Sequence, residues 1–237
     1  MVRGAWVYCV VLVLVAAVPA GAQMAAPARH TVEATYWPAS ASSSTGAAWT
    51  VGLWGLDYRM VRGDSPWGLR LRVLSGVHAA GTDTFWSADA TYDLGADTVQ
   101  LTGLVGYGSL QWAPPGLSVR SSGVRVGVEV RRPLAEGWAV TARFVWSPSN
   151  ASAGLTTSSG AATEWSVGVH YKLPSLRMSG DSPPYVPALL GGVGRPGPLP
   201  PTDWGMAVTY TSTTVDAGAA GSTYTWSGLQ IALTKTF

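Results

Sequence analysis

Residues 85–94 read FWSADATYDL. Trp86, Ala88, Ala90, Tyr92 and Leu94 alternate with Ser87, Asp89, Thr91 and Asp93, and a period of two is the signature of a β-strand with two unlike faces. Two architectures accommodate it. A soluble sandwich would bury the apolar face and expose the aspartates. A membrane barrel would turn the apolar face to lipid and the aspartates to its lumen.

The N-terminus bears on that choice. Arg3 is followed by an apolar run from Trp6 to Val18 and then by Ala20-Gly21-Ala22. This layout predicts a secretory signal peptide over residues 1–22, cleaved before Gln23. The run is short for a retained membrane helix. Cys9, the one cysteine, falls inside it, so the mature chain 23–237 holds neither a disulfide nor a thiol. Removing Arg3 leaves 14 basic against 13 acidic residues, a formal charge of +1. That balance gives no electrostatic basis for nucleic-acid binding. Charged residues make up 12% of the chain, about half the proportion of an ordinary globular domain. An exported chain with few charges, 29 glycines, 12 tryptophans and no helical periodicity matches a transmembrane β-barrel.

Ten segments alternate in the same way, near 30–37, 48–60, 67–77, 85–94, 98–112, 118–131, 138–147, 163–173, 203–213 and 223–237. The reading is an all-β, antiparallel up-and-down barrel of about ten strands, with eight or twelve as alternatives, filling residues 23–237. Series such as Trp67/Leu69/Leu71/Val73 and Val124/Val126/Val128/Val130 have the length that a tilted strand needs to cross hydrocarbon. Aromatic residues gather at strand ends. One belt is expected from Tyr58, Trp67, Tyr92, Trp138, Tyr171, Trp204 and Phe237, the other from Tyr36, Trp49, Trp86, Trp112, Trp146, Trp165, Tyr210 and Tyr224. Two membrane–water interfaces select such belts, since amphipathic rings settle at headgroup level.

The opposite faces carry a candidate lumen network of Arg70, Arg72, Asp89, Asp93, Arg125, Glu129, Arg131, Arg143, Glu164, His170 and Lys172. Gly106, Gly108, Gly127 and Gly168 leave space for the long side chains. Inward turns are expected at 61–66, 95–97 and 132–137, and longer Ser/Gly/Ala-rich outward loops at 38–47 and 147–162. Residues 174–203 hold eight of the sixteen prolines and read as a Pro/Gly-rich connection, because proline removes ladder donors.

The chain ends LQIALTKTF, where Leu229, Ile231 and Leu233 alternate toward a terminal Phe237. This resembles the last strand of bacterial outer-membrane β-barrel proteins. The resemblance implies that Phe237 is an assembly signal read by the barrel-assembly machinery, that lipid of the outer membrane surrounds the chain, and that the protein is located there. Lys235 departs from the pattern, which usually has an apolar residue at that place, although a lysine near the interface can snorkel.

Catalytic constellations are weak. Glu164, Ser166 and His170 share one strand face, but residues i and i+4 on a strand lie about 13 Å apart, beyond hydrogen-bond reach. Asp83, Asp89 and Asp93 have no matching acid–histidine group on later strand ends. No cofactor motif or metal-ligand spacing occurs, and the Asn150–Ser152 sequon carries meaning only in a glycosylating pathway. The expectation is a non-enzymatic barrel with a structural or limited passive-transport role. Alternatives are a surface interaction protein using its outward loops and, third, an outer-membrane enzyme.

Overall fold

A computed structural model describes residues 28–63, 65–95, 98–114, 118–153, 156–173, 203–217 and 222–237. The proposed signal peptide and residues 174–202 of the proline-rich connection lie outside them. Ten antiparallel strands close a ring in which each pairs with its neighbours in sequence and β1 with β10. They are β1 (Ala28–Ser43), β2 (Ala48–Arg62), β3 (Trp67–His78), β4 (Gly81–Asp93), β5 (Gln100–Trp112), β6 (Val119–Ala135), β7 (Trp138–Ala153), β8 (Thr156–Lys172), β9 (Asp203–Asp216) and β10 (Thr223–Thr236). We call the end holding Ala28 and Thr236 the near end and the opposite one the far end.

All ten expected segments are strands, but several run longer than their alternation implied. β1 continues through 38–43, β6 through 132–135, and β7 and β8 pair to the tip at Ala153↔Thr156. Most of what reads as outward loop at 38–47 and 147–162, and part of the expected turn at 132–137, is therefore paired backbone. Ser, Ala and Gly clusters suggested loops, yet strand pairing needs only backbone donors and acceptors, which these residues supply. Tight turns close the β1–β2 and β6–β7 hairpins, and Gly46 and Gly137 occupy them with φ of 95° and 78°, where a Cβ would be strained.

On the outer surface, aromatic pairs in tilted or edge-to-face contact mark two levels. Near the near end, Trp67–Tyr92 and Trp138–Tyr171 lie with ring centroids 4.8 and 4.5 Å apart. Farther up, the pairs are Tyr36–Trp54, Trp86–Tyr107 and Trp165–Tyr210. Between Trp138 and Trp146 on β7 the strand climbs about 27 Å along its length. A tilt near 40° reduces that to about 20 Å of height, close to the ~25 Å apolar band of outer-membrane barrels.

The lumen is not empty. Its far half is packed with Trp37, Leu53, Leu74, Phe85, Trp112, Val119, Val215 and Trp226. Trp112, Tyr224 and Trp49, expected in the outer belt, point into this plug instead: Trp112 and Tyr224 are buried in it, and Trp49 packs against it. Beyond the upper aromatic level the outer rows turn polar and the apolar rings turn inward, where burial removes them from water.

Candidate functional site

The near half of the lumen is charged. Six arginines (Arg59, Arg70, Arg72, Arg125, Arg131, Arg143) share the inward faces with six carboxylates (Glu33, Asp57, Asp89, Asp93, Glu129, Glu164). Strand alternation positions them: in β3, Arg70 and Arg72 face inward while Leu69, Leu71 and Val73 face outward. Most of these charges are buried or half-buried inside the barrel, so they are costly unless paired with one another.

Pairing runs across the lumen as well as between neighbouring strands. Arg70 Nε and Nη2 donate to Asp57 on the adjacent β2 at 2.9 and 2.6 Å, while its Nη1 reaches Glu129 on β6 at 2.7 Å. Arg59 donates to Glu129 at 3.3 Å and to Asp93 at 3.2 Å, and Thr102 Oγ1 donates to Asp93 as well. Arg72 on β3 meets Glu164 on β8 at 2.7 Å. These strands are five positions apart in a ring of ten, so this pair braces the full width of the barrel. Glu164 also accepts from Arg143 and lies 3.7 Å from Arg125, which is 3.6 Å from Asp89. Gly108 makes room for that arginine, since a Cβ there would sit 2.6 Å from Arg125 Cδ.

The residues read from sequence thus fall into three groups. Arg70, Arg72, Asp89, Asp93, Arg125, Glu129, Arg143 and Glu164 meet in the network. Arg131 and His170 line the cavity below it without a carboxylate within 4 Å among the described residues, and His170 Nε2 lies 3.0 Å from Thr141 Oγ1. Lys172 does not join: it pairs with Asp203 at 2.8 Å on the exposed near rim. At the strand's end its side chain finds water, which leaves it no reason to turn inward. Phe237 is half exposed at the same rim, its ring 4.7 Å from Lys235 Nζ, and its backbone exchanges hydrogen bonds with His30. Glu33, Asp57 and Arg59 were missed. Their inward parity follows from Val32, Leu56, Tyr58 and Met60 facing outward, a signal available in β1 and β2 once those strands are phased.

A second polar cluster, also missed as a unit, sits inside the plug. Asp83 is completely buried. Its Oδ2 accepts from Trp49 Nε1 at 3.2 Å and Trp226 Nε1 at 3.1 Å, and its Oδ1 accepts from the Ala113 N–H at 3.1 Å. His78 Nε2 lies 3.1 Å from Oδ1, while its Nδ1 accepts from the Ala80 N–H. Nδ1 as acceptor places the ring proton on Nε2, donated to Asp83. Both ring nitrogens are thereby engaged, and neither is free to take a substrate proton. Among the described residues no group of three or more His, Cys, Asp or Glu is placed to hold a metal ion.

No protein-family model and no curated protein matches the sequence. Solved structures do. The outer-membrane protease OmpT of Escherichia coli aligns with a TM-score of 0.54 at 9% identity, over 91% of this chain and 99% of that one. The beta domain of the Bordetella autotransporter BrkA aligns at 0.45 and 13% identity over 89% and 99%. The translocator domain of the autotransporter NalP from Neisseria meningitidis aligns at 0.43 and 10% over 98% and 95%. At such identities the likeness speaks to fold alone. A closed ring of ten antiparallel strands, aromatic pairs at two levels and a charged lumen make this chain's fold that of a bacterial outer-membrane β-barrel.

Proposed function

We propose that the chain is an integral barrel of the bacterial outer membrane, exported by its N-terminal segment, with a sealed lumen and a structural role. The observation that carries this reading is the Arg72–Glu164 brace across the whole lumen, backed toward the far end by the aromatic plug. An ion crossing the barrel would have to part a buried ion pair and then desolvate among tryptophans, and each step costs several kcal/mol. Membrane lipid is the partner of the outer apolar face, and the assembly machinery is the partner of Phe237. The chain is not an enzyme in this reading: His78 has no free nitrogen, and His170 is beside a threonine rather than a nucleophile–acid pair.

Single-channel recording in planar bilayers tests the proposal. The wild-type barrel, verified by a compact gel band that shifts on boiling, is expected to be electrically silent. A double variant Arg72→Ala/Trp226→Ala, removing one element from each seal, is expected to conduct intermittently. Discrete steps from the wild type would replace the sealed barrel with a small passive pore.

A further inference from the structure

A proline interrupts the outer wall of the barrel at the upper aromatic level. Pro148 lies within β7, a strand paired on both sides, where proline is uncommon because it has no N–H to donate. The ladder between β6 and β7 accordingly breaks between Gly123↔Ser149 and Val126↔Trp146. Inside that gap the Ser147 hydroxyl donates to the Val124 carbonyl at 2.7 Å. Over it the outer surface is hollowed into a groove of about 350 Å³. Tyr107, Val124 and Pro148 line the groove with apolar surface, and Ser122 and Ser159 add little bulk between them.

The groove lies at a boundary. Tyr107 belongs to the Trp86–Tyr107 pair, and Trp146 stands two residues below Pro148 on the same outward row. Amphipathic rings of this kind settle at headgroup depth. Below the groove the outward rows continue as Val126, Val128 and Phe144, all exposed. Above it β5 and β6 carry Ser109, Gln111 and Arg120. An occupant of the groove therefore meets apolar wall at one end and polar wall at the other.

Arg120 supplies a charge at the polar end. It is exposed on the outward row of β6, two residues beyond Ser122, and its Nε donates to the Ser109 hydroxyl at 3.3 Å. Ser109 is the ladder partner of Ser122, so the guanidinium lies along the wall beside the groove. No carboxylate stands within 4 Å of it among the described residues. Asp216, the other charge on the described outward rows of the far half, is three strands round the ring on β9. A guanidinium held through Nε keeps its Nη groups for an anion, and its planar fork matches a phosphate.

We propose that this groove is a lipid site, seating the upper part of one acyl chain of a phosphate-bearing lipid in the far leaflet, with Arg120 on the phosphate. The inference rests on the membrane-barrel reading above. It adds to that reading one lipid held in a fixed place among the many that surround the wall.

Native mass spectrometry of the full chain, folded in detergent and titrated with phosphatidylglycerol, tests the site. One lipid is expected to be retained ahead of a weaker statistical series. Diacylglycerol of the same chains, which lacks the phosphate, is expected to be held about tenfold less tightly or worse, as the loss of a charge-assisted contact implies. Arg120→Gln is expected to weaken phosphatidylglycerol by the same factor and to leave diacylglycerol unchanged. Ser122→Trp, which fills the groove, is expected to weaken both. Arg132→Gln, exposed at the near end, is expected to leave the first lipid in place, with the heat-shifted gel band reporting that each variant folds. Glycerol phosphate, a headgroup without chains, is expected to bind far more weakly than the lipid. A statistical series with no first lipid, equal retention by Arg120→Gln or Ser122→Trp, or glycerol phosphate bound as tightly as phosphatidylglycerol would each overturn the site. The gel band and the conductance record test the barrel and its seal separately, so failure of this site is distinguishable from failure of that reading.

Discussion

The two halves of this barrel solve opposite problems with the same strands. In the near half the outer face is Leu, Val, Ala and aromatic while the inner face holds arginines and carboxylates. In the far half the described outer face is largely Ser and Thr, with Val77 and Arg120 among them, while the inner face holds Trp, Phe, Leu and Val. β10 shows the inversion within one strand: Leu229, Ile231 and Leu233 point out, but Tyr224 and Trp226 point in, with Thr223, Thr225 and Ser227 outside them. The difference teaches that alternation reports contrast between two faces, and that the surrounding solvent decides which face is apolar. Where the outside is lipid, charge retreats inward. Where it is water, rings do.

The largest expected effect falls in the near half. Glu164→Gln leaves Arg72 and Arg143 without their shared partner, and breaking a buried ion network of this kind costs about 3–5 kcal/mol; urea unfolding followed by the gel shift measures it. Next comes a direct test of where lipid ends. Lysine at Ile231 is expected to cost about 2–4 kcal/mol because that position faces the apolar band. Lysine at Thr225, six residues along the same outward row, is expected to stay within about 0.5 kcal/mol. Equal penalties at both would erase the distinction between the halves. In the plug, Asp83→Asn replaces an acceptor of the two indole N–H groups with an amide and is expected to cost about 1–3 kcal/mol. A red shift of tryptophan emission would accompany it if the rings loosen. The smallest effect belongs to the rim, where Lys235→Ala removes a cation 5.0 Å above the Trp204 ring, worth about 0.5–1 kcal/mol.

Much of this was legible in advance, and the reason lies in the near half. There the lipid-facing rows are long and uniform, so ten strands and most of the charge network follow from period two alone. The far half was misread because a tryptophan's side of the sheet cannot be told from its position near a strand end: Trp49, Trp112 and Tyr224 looked like belt residues and are plug. A signal did exist. Where the apolar parity switches, two apolar residues stand side by side, as in Tyr36-Trp37, Leu53-Trp54, Val73-Leu74, Phe85-Trp86 and Val145-Trp146, the first of each pair facing one side and the second the other. Glu33 and Asp57 escaped notice because β1 and β2 carry mixed outer rows. Asp83 was visible as a residue, but its partners come from β2, β3, β10 and the segment after β5, and no local pattern gathers them.

The closing pair of strands has a consequence for how the molecule comes into being. β1 and β10 join residues as far apart as Thr31 and Thr236, 205 positions along the chain. Until they meet, every partly assembled form presents two bare strand edges, the kind of surface that recruits stray strands. The ring gains its final ladder in one event of very high contact order, so folding should be slow and close to all-or-none. An arrested intermediate would be an open sheet with its arginines exposed to whatever lies beside it, which gives the lifetime of that state, rather than the stability of the finished ring, the larger say in yield.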